Sequence, residues 1–346
     1  MWPYWLMFLF PAWALLMPRR LKSSQAWLPW AVVFVLFSLM MGLRHEVGGD
    51  WLNYIPLFQD TARRDFTEVM GRGDPGYYGL NWLVGRLGGD IYLVNLACAL
   101  IMMWGTVKFC RAQPNPWLAL LVAVPYMLIV VGMGYTRQAV ALGFALLGLT
   151  ALGHGKVRTF VIWVAIGATF HKSAVLLLPI AALAASRNRL LTAALVGATT
   201  ALLYYLLLAN ETDALWTNYV EAEYQSQGGL IRVLMNVVPA VLLILFAKRL
   251  VPDRQERKLW LWIAAFALVC LPLIGLASTA VDRVALYLIP LQLFVFSRVP
   301  RLAGTTQVRT PLVLGVMGYY FAVQYVWLNH AAHAFAWVPY QFMPLW

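Results

Sequence analysis

The chain is made of apolar runs, repeated along almost its whole length. They lie at 2–17, 26–43, 91–109, 117–134, 138–154, 190–209, 230–247, 259–277, 284–297 and 310–328. A helix needs about 20 mostly apolar residues to cross the hydrocarbon core of a bilayer. Inside lipid, one segment satisfies all its own backbone polar groups only as a helix. Composition agrees, with 62% of the 346 residues hydrophobic and 12% charged. A soluble domain carries about 25% charged residues, and a soluble fold would leave much of this apolar surface in water. The sequence therefore predicts an all-α, polytopic transmembrane bundle of about 10 full spans. It forms a single integral membrane domain over 1–346.

The net charge of +12 suggests nucleic acid at first sight. Membrane proteins, however, concentrate Lys and Arg on cytoplasmic loops, so the distribution decides. The stretch 159–185 is the ambiguous one. It is long for one helix and carries His171-Lys172-Ser173 in its middle. Suppose it goes in and comes back as a hinged or re-entrant helix pair. The loops at 18–25, 108–116, 154–158, 186–190, 248–258 and 298–309 then share one side. They hold 17 of the 26 Lys and Arg and only two acids, Asp253 and Glu256. A single crossing would put Lys248–Lys258 outside and the acidic loop 210–228 inside, against the positive-inside rule. The hinged reading is preferred, and nucleic acid is not an expected partner.

That topology puts the N-terminus outside, with outer loops at 44–90 and 210–229 and an outer tail at 329–346. The tail aromatics Phe335, Trp337, Tyr340, Phe342 and Trp346 suit a membrane interface. Arg19, Arg20 and Lys22 follow the first apolar run. A secretory signal has its positive charge before that run, so the first segment is expected to be a retained span. Cys98, Cys110 and Cys270 have neither paired nor metal-ligand spacing, so they are read as packing residues.

Any active site must then come from outer loops and helix ends. The first loop opens Arg44-His45-Glu46-Val47-Gly48-Gly49-Asp50, followed by Trp51 and Tyr54. The glycines permit backbone shapes closed to other residues. The plainer reading makes Asp50 an N-cap. Asp74-Pro75-Gly76 reads as a turn into an amphipathic segment. Arg137-Gln138 sits in a short outer turn and departs from the positive-inside pattern. It either pairs with an acid of the first loop or binds an anionic group. His171-Lys172 lies within membrane depth, where ionisable residues generally line a cavity or a pathway. Asp282-Arg283, with Tyr287 one turn on, forms a late outer turn, where an internal ion pair is the plainer reading. His330 and His333 are too isolated to suggest a metal. Arg44, Arg137, Lys172 and Arg283 thus gather on the outer side, with Asp50 and His171 able to handle protons. Arginine's planar fork suits phosphate, so the inventory fits an anionic, lipid-carried substrate.

These motifs resemble, in order, the EpsG/Wzy-type family of bacterial polysaccharide polymerases. The resemblance rests on Arg44 with Val47-Gly48-Gly49-Asp50 and Tyr54, Arg137-Gln138, Phe170-His171-Lys172-Ser173-Ala174, and Asp282-Arg283 with Tyr287. Gly49 departs from the pattern, where a small hydroxyl residue is expected. The resemblance implies a glycosyltransferase acting on oligosaccharide repeats linked to undecaprenyl diphosphate, at the outer face of the bacterial inner membrane. It implies no cofactor, and a chain-length regulator and a flippase as possible partners. On it, Asp50 or His171 is the general base. Arg44, Tyr54, Arg137, Gln138, Lys172, Asp282, Arg283 and Tyr287 bind substrate, and Trp51 and Tyr54 offer rings to sugar. A ligase-like glycosyltransferase and a lipid-linked glycan transporter are the alternative readings.

Overall fold

A computed structural model describes residues 1–17, 27–184, 189–207 and 228–343. The expected loop 18–25, most of 186–190, the outer loop 210–229 up to 227, and Trp346 lie outside the described residues. The described chain is helical, with no strand beyond one isolated bridge between Arg44 and Phe342.

Among the described residues, six helices are long and apolar enough to cross a membrane alone: Ile91–Arg111, Pro116–Gly134, Thr136–Gly153, Leu190–Leu207, Gly229–Leu250 and Gln307–His330. A seventh comes from Ser278–Leu286 and Pro290–Leu302 taken together, bent by 49°. The expected number, about 10, is not reached on this measure. Trp2–Leu16 and Trp27–Gly42 are apolar but only 15 and 16 residues long. At 1.5 Å per residue they cover roughly 23 Å, short of a hydrocarbon core of about 30 Å. Arg254–Leu273 has the length, but Arg254, Glu256, Arg257 and Lys258 fill its first turns.

The 159–185 run is broken where its polar residues fall. Val157–Phe170 is helical, His171 is extended, and a 3-10 segment, Lys172–Leu177, leads into the Leu178–Ala184 helix. Val157–Phe170 runs back alongside Thr136–Gly153 after a turn at 154–156, so His171 returns to the end of the bundle where Thr136 lies.

Pro116–Gly134 runs through the centre, and 94% of its apolar window is buried. A helix apolar on all sides belongs in such a position. Its second half, Val124–Val131, is wound as a π-helix with Pro125 in its first turn; proline has no N–H for the regular ladder and forces a local adjustment. Neighbouring helices come close where both lack side chains: a Cβ on Gly105 would fall 2.1 Å from the Gly143 carbonyl oxygen. Small residues of this kind let membrane helices approach. A buried polar chain ties four helical segments. Tyr320 donates to Gln292 Oε1 at 2.8 Å, Gln292 donates to Asn236 Oδ1 at 2.7 Å, and Asn236 donates to the Ala285 carbonyl at 2.8 Å.

The bundle has two distinct ends. At one, the first loop meets Met133, Thr136, Thr169 and the C-terminal tail. At the other, Arg298 reaches Gln113 and Glu256, and Asn115 reaches the Ser297 carbonyl.

Candidate functional site

The site is built on a loop that other elements hold from both sides. Gly48 has φ +109°, and a Cβ there would fall 2.2 Å from the Met133 carbonyl oxygen. Only glycine fits that approach. From the other side the tail clamps the loop. His45 N–H donates to the Gln341 carbonyl at 3.0 Å, Gly48 N–H to Ala336 at 2.7 Å, and Met343 N–H to Leu43 at 2.8 Å. Trp337 is buried, donating from Nε1 to the Ile129 carbonyl at 3.0 Å. Trp337 was expected at the interface; the tail uses it as an anchor instead, while Phe335 stays exposed.

Arg44 was expected to bind substrate, and the structure places it behind the loop. It is 1% exposed, donating from Nε to Val47 O at 3.0 Å, from Nη1 to Met41 O at 2.5 Å and from Nη2 to Thr136 Oγ1 at 2.8 Å. Its fork holds the end of the Trp27–Gly42 helix to the start of Thr136–Gly153. Trp51, expected to offer a ring to sugar, is buried against His45 and Tyr92.

The loop delivers Asp50 to the start of the Trp51–Arg63 helix. Its carboxylate makes no side-chain capping bond. It instead lines a cavity of about 70 Å³ with Tyr54, Tyr135, Arg137, Gln138, His171 and Arg283. Burial pushes the Asp50 carboxyl above the usual carboxylate range, and the nearby Arg283 and Arg137 oppose that push. Residues far apart in sequence thus meet in one place. Of those expected in the site, Asp50, Tyr54, Arg137, Gln138, His171 and Arg283 line it together.

Four of the lining residues, Arg137, Gln138, His171 and Arg283, are held by neighbours. Arg137 Nη1 pairs with Asp74 Oδ2 at 2.8 Å, leaving the Arg137 side chain 34% exposed. Asp74 is 4% exposed, and its Oδ1 accepts the Lys172 backbone N–H at 3.3 Å. One carboxylate therefore links the first loop, the start of Thr136–Gly153 and the break at His171. Burial raises the Asp74 carboxyl too, opposed by Arg137 and Lys172. Arg283 Nη1 donates to Gln138 Oε1 at 3.2 Å, and Gln138 Nε2 donates to the Arg283 carbonyl at 2.9 Å. The Arg283 guanidinium lies 5.1 Å from the centre of the Tyr135 ring. His171 Nδ1 is 2.6 Å from Ser173 Oγ, which lies 3.3 Å from the Tyr287 hydroxyl.

Lys172, Asp282 and Tyr287 were also expected in the site but do not line the cavity. Lys172 contributes its backbone to Asp74. Tyr287 is buried behind Ser173. Asp282 pairs with Arg232 through both carboxylate oxygens, its second contact being Nη2 to Oδ2 at 2.6 Å. This is an internal ion pair, with Arg232 rather than Arg283 as the partner. Sequence reasoning passed over Arg232, although a basic residue inside an apolar run is itself a signal. It read Asp74 as a turn, yet Asp74 is the first-loop acid that the plainer reading of Arg137 called for. Among the described residues no group of three His, Cys, Asp or Glu could hold a metal ion, and the helix ends at His330, so His330 and His333 do not share a helical face.

A family model described as the EpsG family matches residues 27–342. No curated protein and no solved structure matches the chain.

Proposed function

The chain belongs to the EpsG family, and on that premise we propose that it is a polysaccharide polymerase working at the outer end of its bundle. The single observation that carries this reading is the convergence of Asp50, Arg137, His171 and Arg283 on one cavity. Two arginines there can hold a diphosphate, and two further groups can take a proton.

The proposed donor is a glycan on undecaprenyl diphosphate, and the acceptor is the next lipid-linked repeat unit. An acceptor hydroxyl attacks the donor's anomeric carbon. The bond from that carbon to the diphosphate oxygen breaks, and the lipid diphosphate leaves with the electron pair. The hydroxyl proton passes to Asp50 or to His171, whose Nδ1 is held by Ser173 and whose Nε2 is the remaining ring nitrogen. Arg137 and Arg283 offset the charge on the leaving group, the electrostatic role usual in such sites. The energy of the sugar–diphosphate bond drives the reaction, so no nucleotide is consumed.

The cavity is small beside the roughly 300–1,000 Å³ of most ligand pockets. It fits the reacting atoms, with the rest of both substrates lying over the outer surface. The shorter apolar helices, the bent pair and Arg254–Leu273 complete about 10 crossings, with the N-terminus and the site outside and the basic loops in the cytoplasm of a bacterial inner membrane. A transporter would place its charged groups near the bilayer midplane, whereas these sit at helix ends.

The test is genetic. Cells with Arg137→Gln or His171→Gln as their only copy should keep single repeat units on lipid and lose long polymer. Normal polymer yield and length in both would sink the proposal. Loss of all outer-face repeats would favour a transporter.

A further inference from the structure

A second cavity, of about 400 Å³, opens at the opposite end of the bundle. Its walls include Phe109, Leu149 and Trp260, and its rim includes Asp253, Glu256, Arg298 and Arg301. The volume lies in the range of small-ligand sites, and half of the lining residues are polar or charged.

The rim's hydrogen bonds show what is left over. Asp253 Oδ1 accepts the Glu256 N–H at 2.7 Å, and Glu256 Oε1 pairs with Arg298 Nη2 at 3.0 Å. Gln113 Oε1 accepts from Arg298 Nη1 at 2.5 Å. One oxygen of each carboxylate is thus engaged inside the protein. Arg298 is 4% exposed, and its Nε–H has no acceptor. Arg301 is exposed, and its guanidinium makes no hydrogen bond or ion pair among the described residues. The surrounding field is positive: the helix ends at 108–111, 156–158, 248–258 and 298–309 carry 12 Lys and Arg against Asp253 and Glu256. Basic pockets between membrane helices on the cytoplasmic side receive anionic headgroups.

We propose that this cavity binds a phosphate ester, the phosphate on Arg301 and the organic part against Ala112, Pro114 and Gly153, the lining residues with accessible non-polar surface. Either an anionic phospholipid headgroup or a soluble phosphate ester has this chemistry. The site is independent of the reaction proposed at the other end.

The test uses the purified full-length protein and needs no activity. Thermal unfolding is followed while phosphatidylglycerol, phosphatidylcholine or soluble glycerol 3-phosphate is added. A Cβ on Gly153, which also lines the cavity, would meet nothing within 4 Å, so Gly153→Phe is the variant chosen to fill the space. Arg301→Gln removes an exposed charge and leaves the fold intact. Phosphatidylglycerol should raise the wild-type midpoint, phosphatidylcholine should not, and Arg301→Gln should need roughly 10-fold more lipid. Gly153→Phe should show no response. A response to glycerol 3-phosphate that both variants lose would support the site and assign it to a soluble ester. Equal lipid responses in wild type and both variants, or equal effects of the two lipids, would overturn the proposal.

Discussion

Two arginine–aspartate pairs lie in the half of the bundle that holds the Asp50 cavity, and they differ in one respect. Arg232–Asp282 is closed, with side chains 13% and 9% exposed. Arg137–Asp74 is open on one side, with Asp74 5% and Arg137 34% exposed. In the first pair both charges face each other inside the protein. In the second a buried carboxylate takes one guanidinium nitrogen, Nη1, of an arginine that also lines the cavity. The same chemistry therefore serves as a tie in one place and as a mount in the other. Exposure of the guanidinium separates the two, and its distance to the carboxylate does not.

Substitution should break the symmetry between these pairs. Arg137→Gln is expected to cut polymerisation at least ~100-fold, as loss of a charge-stabilising donor does, while folded protein falls less than the turnover does, because Asp74 keeps the Lys172 N–H as a partner. Arg232→Gln should act the other way. Breaking a buried pair by removing one partner costs about 3–5 kcal/mol, so folded protein and thermal midpoint fall. Turnover per folded molecule should persist. Polymer synthesis normalised to folded protein reads both effects, and equal losses of turnover would erase the distinction.

The two candidate bases come next in size. Asp50→Asn or His171→Gln should lose about 10²–10⁴-fold if the residue takes the proton. The pH profile separates them. A carboxyl raised by burial stays protonated at higher pH than a free one, opposed here by Arg137 and Arg283. If Asp50 is the base, activity falls on acidification before the ordinary carboxylate range near about 4 is reached. That acid limb should vanish in Asp50→Asn and survive in His171→Gln. A limb unchanged in Asp50→Asn would give the proton to another group.

A smaller effect should follow from the scaffold. Gly48→Ala puts a methyl group against the Met133 carbonyl and forces φ +109°. Strain of this kind costs about 1–3 kcal/mol, and it acts where the chain turns toward Asp50. The thermal midpoint should drop and polymerisation should fall with it. No change in either would show that the loop relaxes freely.

Much of this was legible in the sequence. The break at His171 followed from a polar triplet inside an over-long apolar run, and the charge count put it on the same side as Asp50 and Arg137. Helical character followed from the apolar runs alone. The number of spans did not, because Trp2–Leu16 and Trp27–Gly42 are apolar yet short, and an apolar run does not mark where its helix stops. Site residues were legible as types but not as orientations. Arg44 and Arg137 look alike in the sequence, and only packing shows that Arg44 points at backbone carbonyls. Asp74 and Arg232 became visible through long-range pairs, at separations of 63 and 50 residues, which no local pattern encodes.

The most direct measurement of the central claim is reconstitution. Purified protein in lipid vesicles is given one lipid-linked repeat unit, and the products are followed by gel and mass. The account predicts a ladder of lengthening glycans, with one undecaprenyl diphosphate released for each new glycosidic bond, and no ladder with Arg137→Gln. Repeat units that cross the bilayer without joining, or a ladder that Arg137→Gln leaves intact, would contradict it.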